Sequence, residues 1–213
     1  MPTLSNEYPS KNYLRILELA SDINQKKIKP YLVNTNKILD FGAGEGSLTN
    51  LIKNTTNEVY AYEPSDLMRA VLSKKMNLNV IENLKDLCNQ KFDVVIISSV
   101  VQYINPGKLT TELDQIFDLT NRVIIADVPN NKNYSDALST IKNVILEKRI
   151  ELFLRLLIFY FFLFVTNKGN SSKYIHNNKY FDEYCELRGM KIEKIKNIGL
   201  SNTRSSYLIE KND

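Results

Sequence analysis

Three closely spaced glycines are the richest chemical feature of this 213-residue chain. They stand in Ile38-Leu39-Asp40-Phe41-Gly42-Ala43-Gly44-Glu45-Gly46, where a short apolar run stops and a helical pattern begins at Ser47. A glycine turn at such a junction lets a ligand approach the backbone without meeting a Cβ. It also sets that ligand at a helix N-terminus, where backbone N–H groups are unpaired. Glu63 closes the next apolar run, 17 residues after Gly46. A carboxylate there can accept two hydrogen bonds from the hydroxyls of a ribose. The pattern reads as a nucleoside site.

Two nucleoside cofactors suit that geometry. A dinucleotide favours GxGxxG, but the third glycine of that pattern is Ser47 here, and the spacing is GxGxG. Asp40, two residues before Gly42, would repel a pyrophosphate. It would instead attract a cationic amino group, directly or through water. S-adenosylmethionine carries such a group, a sulfonium and no phosphate.

The elements that must hold these residues follow from periodicity. Lys37–Phe41, Glu58–Glu63, Leu78–Ile81, Phe92–Ser98 and Arg122–Val128 read as strands. The fourth is nearly continuous in apolar residues, as suits a parallel strand covered on both faces. Helical patterns run from about Asn12 to Pro30, Ser47 to Lys53, Ser65 to Lys75 and Pro106 to about Asp118. Strands separated by helices predict an α/β doubly wound sheet in a single domain. Beyond it, Ser135–Val165 reads as a long helical stretch, broken once, and Lys179–Arg188 as a helix stopped by Gly189. Met190–Lys196 and Ser206–Lys211 read as closing strands, and residues 167–172 as a loop. Residues 135–180 are thus expected to form a helical insertion or lid.

Composition removes several alternatives. Two cysteines, Cys88 and Cys185, exclude a disulfide framework or a Cys-rich zinc site. A single histidine, His176, excludes sites that need several imidazoles. Twenty-eight basic and 24 acidic side chains leave a formal charge of +4, too weak by itself to indicate a nucleic-acid partner. The N-terminal stretch lacks the apolar core of a secretory signal, so a cytoplasmic location is expected.

At this point the chain resembles the class I S-adenosylmethionine-dependent methyltransferases. The resemblance rests on ILDFGAGEG, VYAYEP, IENL, FDVVIISSVVQYI and RVIIADVP, in order, and on the closing RGMKIEKIK and SSYLIEK. It implies a Rossmann-like, seven-stranded, mostly parallel sheet with an antiparallel closing strand. It also implies roles. Gly42, Gly44 and Gly46 would line the methionine and ribose, with Asp40 ordering the loop. Glu63 would hold the ribose hydroxyls. Pro64 and Ser65 would lie against the adenine, with Leu67 or Met68 nearby. Asn83 and Leu84 would flank the adenine, and Ser98 and Ser99 would lie beside the methyl group.

Methyl transfer is an in-line displacement, so the protein mainly positions the acceptor and, where needed, removes its proton. No Asp/Asn-Pro-Pro-Tyr/Phe motif ends the fourth strand, which argues against exocyclic amines of nucleobases. A small-molecule or glycan-type acceptor methylated at oxygen is expected, with no metal. A non-catalytic cofactor-binding module and an RNA-modifying enzyme are the alternatives. Tyr103 either contacts acceptor or cofactor or packs a helix onto the sheet. His176 is either a general base on a covering segment or a solvated surface histidine. Asp127, ending the fifth strand, positions substrate or caps a loop. The apolar run Leu156–Val165 is too short to span a bilayer. It is a core helix or homodimer face, the wall of a lipid-like pocket, or part of a peripheral membrane contact through 150–165.

Overall fold

A computed structural model describes residues 11–54, 58–75, 79–130, 135–166, 174–177 and 179–212. The expected loop at 167–172 lies outside them. The strands are β1 (Lys37–Phe41), β2 (Glu58–Tyr62), β3 (Asn79–Ile81), β4 (Val94–Ser98), β5 (Arg122–Pro129), β6 (Met190–Ile195) and β7 (Arg204–Lys211). They form one seven-stranded sheet in the order β3-β2-β1-β4-β5-β7-β6. The first five run parallel, and β7 is antiparallel to both of its neighbours. This is the doubly wound architecture that the sequence predicts. The order reverses direction beside β1, and in such sheets ligands bind outside the carboxyl ends of the strands at that switch.

The helices are α1 (Lys11–Ile28), α2 (Ser47–Lys53), α3 (Asp66–Lys75), α4 (Pro106–Leu119), α5 (Ser135–Leu146), α6 (Ile150–Thr166) and α7 (Lys179–Arg188). The long helical pattern is indeed broken once, at residues 147–149, where Lys148 takes φ 54°. Because β1 and β4 are covered on both faces, their side chains feed two cores. Leu39, Phe41, Val95 and Ile97 pack with Leu109, Leu113 and Phe117 of α4 and Phe181 of α7. Ile38, Val94 and Ile96 point the other way and pack with Ile28, Ile52, Ile124 and Leu208. A third, smaller cluster joins Ile16 and Ile23 of α1 to Val144 of α5 and to Leu152 and Leu156 of α6. The 135–166 helices are therefore seated on α1. Among the described residues, no helix is long and apolar enough to cross a membrane.

Candidate functional site

Asp40 is the second-last residue of β1 and, with Lys37 at its start, one of two polar side chains on that strand. Strand alternation turns it toward α2, where the Thr49 hydroxyl donates to its Oδ2 at 2.6 Å. It is 2% exposed. Burial pushes its carboxyl up to about 7; the Thr49 bond opposes this, and the nearby Glu63 and Glu45 carboxylates reinforce it. Asp40 thus anchors the base of the glycine turn.

The turn itself needs its glycines. Gly42, Gly44 and Gly46 all have positive φ, at 78°, 59° and 84°, a region costly for residues that carry a Cβ. At Gly42 a methyl group would also lie 2.4 Å from Val100 Cγ2, so the segment after β4 closes directly over the turn. At Gly44 a methyl group would meet nothing within 4 Å, so the backbone there faces open space. Gly46 is the N-cap of α2. Glu45 folds back onto that N-terminus, accepting from the Ser47 hydroxyl at 2.7 Å and from Ser47 N–H at 3.3 Å.

Glu63, just past β2, ties this turn to the next one. Gly44 N–H donates to one carboxylate oxygen and Ser65 N–H to the other, each at 2.8 Å. Burial raises its pKa, against the pull of those two N–H groups and of Arg69. Arg69 donates to the Glu63 carbonyl at 2.9 Å and pairs with Asp66 and Glu82. Each carboxylate oxygen keeps a further lone pair for a ligand hydroxyl. Pro64 is partly exposed. Asn83 is exposed and caps a short 3-10 turn, its Oδ1 accepting from Lys85 N–H at 3.2 Å. Leu84 packs against the α4-side core.

On the far side of the turn, the ends of β4 and β5 build a polar cluster. Ser98 is partly buried, and Ser99 and Asp127 both sit at φ near +60° without being glycine. The Ser99 hydroxyl donates to Asp127 Oδ2 at 2.6 Å, and Arg204 of β7 donates to the same oxygen at 2.9 Å. Asp127 Oδ1 is buried without a partner. It fills the place of a side chain at position 199: a methyl group on Gly199 would lie 1.7 Å from it. Strained backbone clusters at active sites and ligand clamps, and a buried oxygen without a partner calls for one. Tyr103 stands beside this cluster. Burial raises its hydroxyl, while Arg204 and Gln102 lower it and Asp127 raises it slightly.

His176 is placed otherwise than the sequence suggests. It is not solvated. The ring is 4% exposed, and Nε2–H donates to the Val101 carbonyl at 3.0 Å. Burial lowers its pKa, with the Val101 and Ile104 carbonyls opposing. Tyr174 N–H donates to the Gln102 carbonyl at 3.1 Å. Residues 174–177 therefore staple the Val101–Tyr103 3-10 turn, which carries Tyr103. His176 thus lies, with its charged form disfavoured by burial, against the turn that carries Tyr103. Sequence reasoning also missed Arg204, Glu45 and Arg69. Arg204 lies 77 residues from its partner Asp127, and no local pattern announces it.

A nucleoside with a sulfonium fits this chain's donor set. The glycine turn is surrounded by the carboxyl groups of Asp40, Glu45 and Glu63, and Arg69, beside Glu63, is engaged with the Glu63 carbonyl, Asp66 and Glu82. Such a field repels a diphosphate and favours a cation.

Comparison with known proteins agrees with this reading. An uncharacterized methyltransferase of Staphylococcus carnosus (strain TM300) is 34% identical over 88 residues. The alignment covers 39% of this chain and 42% of that protein, so the chain matches less than half of the relative's length. Among solved structures, the magnesium protoporphyrin IX methyltransferase of Synechocystis PCC 6803, with S-adenosylhomocysteine bound, superposes with a TM-score of 0.59 at 16% identity. That superposition covers 98% of this chain and 88% of the other. A SAM-dependent methyltransferase from Archaeoglobus fulgidus gives 0.61 at 17% identity, covering 95% and 100%. These likenesses show a Rossmann-like methyltransferase fold. The DREV methyltransferase model matches residues 12–152, from α1 through both sides of the glycine turn to the start of α6. The chain belongs to the DREV methyltransferase family.

Proposed function

We propose that this chain is an S-adenosylmethionine-dependent methyltransferase acting on a small-molecule or glycan-type acceptor, at oxygen and by direct displacement. The observation that carries the cofactor reading is the ring of three carboxyl groups around a glycine turn whose middle residue faces open space. When bound, S-adenosylmethionine supplies a methyl group on a sulfonium, and the sulfur leaves as a neutral thioether. The chain's own work is then binding, orientation and handling of one proton. Glu63 holds the ribose edge, Asp40 sets the turn and its charge, and Val100 walls the glycine side. The acceptor side belongs to Tyr103, Ser98, Ser99 and Asp127. A hydroxyl nucleophile must lose a proton, and the Asp127 carboxylate, reached through the Ser99 hydroxyl, offers a place for it. The magnesium protoporphyrin IX methyltransferase, a structural relative, takes a small molecule, which supports that acceptor class.

Calorimetry with S-adenosylmethionine, S-adenosylhomocysteine and NAD tests the cofactor. Binding of the first two and not of NAD is expected; binding of NAD alone would overturn the assignment. Transfer of a labelled methyl group into fractionated cell extract then tests the acceptor. Label in a small, nuclease- and protease-resistant fraction is expected. Label in RNA or protein would replace the acceptor class and leave the cofactor assignment standing.

A further inference from the structure

α6 is apolar on two faces, and among the described residues only one of them is covered. Leu152 and Leu156 are buried against α1 and α5, with Phe153, Phe159 and Tyr160 packed alongside. Ile150, Leu154, Leu157 and Ile158 recur at the spacing of a single helix face and are 73%, 52%, 41% and 62% exposed. The stripe continues into the elbow before α6 through Ile145 and Leu146, which are 55% and 68% exposed. A soluble surface seldom leaves so many large aliphatic side chains together in water.

The charges around the stripe point to its occupant. Lys142 and Lys148 are exposed on the same α5–α6 elbow. Of the acids nearby, Glu151 is paired and Glu147 lies toward two lysines of the body of the protein. Glu151 accepts from both Arg15 and Arg155. Glu147 lines a cleft of about 150 Å³ that also holds Lys27 and Lys196. What faces outward is an aliphatic stripe with lysines at its edge. The helix has 17 residues, about 25 Å at the standard rise. No helix among the described residues can cross a membrane, so α6 is suited to lie along a surface rather than pass through it. A second copy suits the face less well. An isologous contact sets a patch against itself, which would bring Lys142 and Lys148 toward their own copies beside an apolar stripe.

We infer that the outer face of α6, with the α5–α6 elbow, docks on an anionic lipid surface: Ile150, Leu154, Leu157 and Ile158 enter the acyl boundary and Lys142 and Lys148 meet the headgroups. Interfacial helices bind by this combination of buried apolar area and attraction to anionic lipid. The inference does not rest on the proposed catalytic activity.

Flotation of the full chain with vesicles of phosphatidylcholine alone, or of phosphatidylcholine mixed with phosphatidylserine, tests it. Expected is binding to the mixed vesicles, weakened by high salt and reduced about tenfold or more, about 1.4 kcal/mol, in L154E/I158E. The same loss should follow K142E/K148E. These side chains are exposed, so thermal melts of the variants should match the parent. No flotation with either vesicle, equal flotation with both, or flotation unchanged in L154E/I158E would each overturn the inference. So would a concentration-dependent dimer that the same substitutions dissolve while vesicle binding is absent.

Discussion

Replacing Asp40 by Asn removes a charge and little else. The amide oxygen can still accept from the Thr49 hydroxyl that donates to Oδ2 at 2.6 Å, and the residue keeps its volume in a fully covered position. In the native chain, burial holds the carboxyl at about 7, against 3.8 in an unstructured one. The native state therefore binds more protons than the unfolded state between those values, and stability must fall as pH rises through that window. Below about pH 4 both states are protonated and the effect vanishes. Above about pH 7 the whole cost is present, on the order of 4 kcal/mol. The Asn variant lacks this slope. Urea titrations from pH 4 to 8 should show the parent losing stability relative to D40N by up to that amount, with the curves converging at the acid end. Binding adds a second signature. A cationic ligand beside the turn favours the ionised carboxyl, so S-adenosylmethionine affinity should rise from pH 6 to 8 in the parent and stay flatter in D40N. Parallel stability curves across the whole range would refute the reasoning, because they would mean that Asp40 is ionised in its buried setting at no cost.

Other outcomes follow from the same geometry. Gly42→Ala combines a left-handed backbone, about 1–2 kcal/mol, with a collision against Val100, about 1–3 kcal/mol. Val100→Ala should restore the second part and not the first, as a double-mutant cycle in denaturant would show. Glu63→Ala should weaken S-adenosylmethionine binding by about 1–3 kcal/mol, measured by calorimetry; unchanged affinity would place the ribose elsewhere. Arg204→Met should lower stability by about 1–3 kcal/mol, since Asp127 would keep only the Ser99 hydroxyl in a mostly covered site. Gly199→Ala should be at least as damaging, because its methyl group and Asp127 Oδ1 claim the same space.

The glycine turn and its link to Glu63 were legible because their determinants are local. A strand end, three glycines and an acid at the next strand end lie within one stretch of chain, and each has a physical reason to be where it is. On the other side Ser99 and Asp127 could be named from the ends of the fourth and fifth strands, but not their joining to Arg204. Ser99, Asp127 and Arg204 come from three strand ends, and the backbone signal that joins them, a left-handed turn, falls on a serine and an aspartate instead of a glycine. The α5–α6 break was visible only as an interruption of pattern, since Lys148 supplies the positive φ that a glycine would have advertised. The solvated alternative for His176 fails for a related reason. Its neighbours in sequence are polar, and only the fold brings the Val101 carbonyl to its ring.

The reversed direction of β7 has a practical side. Arg204, at its start, meets the acceptor cluster, whereas Glu210 pairs with Arg122 at the beginning of β5. The chain thus leaves the sheet at the rim opposite the glycine turn. An affinity handle or surface tether joined beyond β7 would hold the molecule with the glycine-turn rim facing outward, and immobilised protein should bind S-adenosylmethionine as well as protein free in solution.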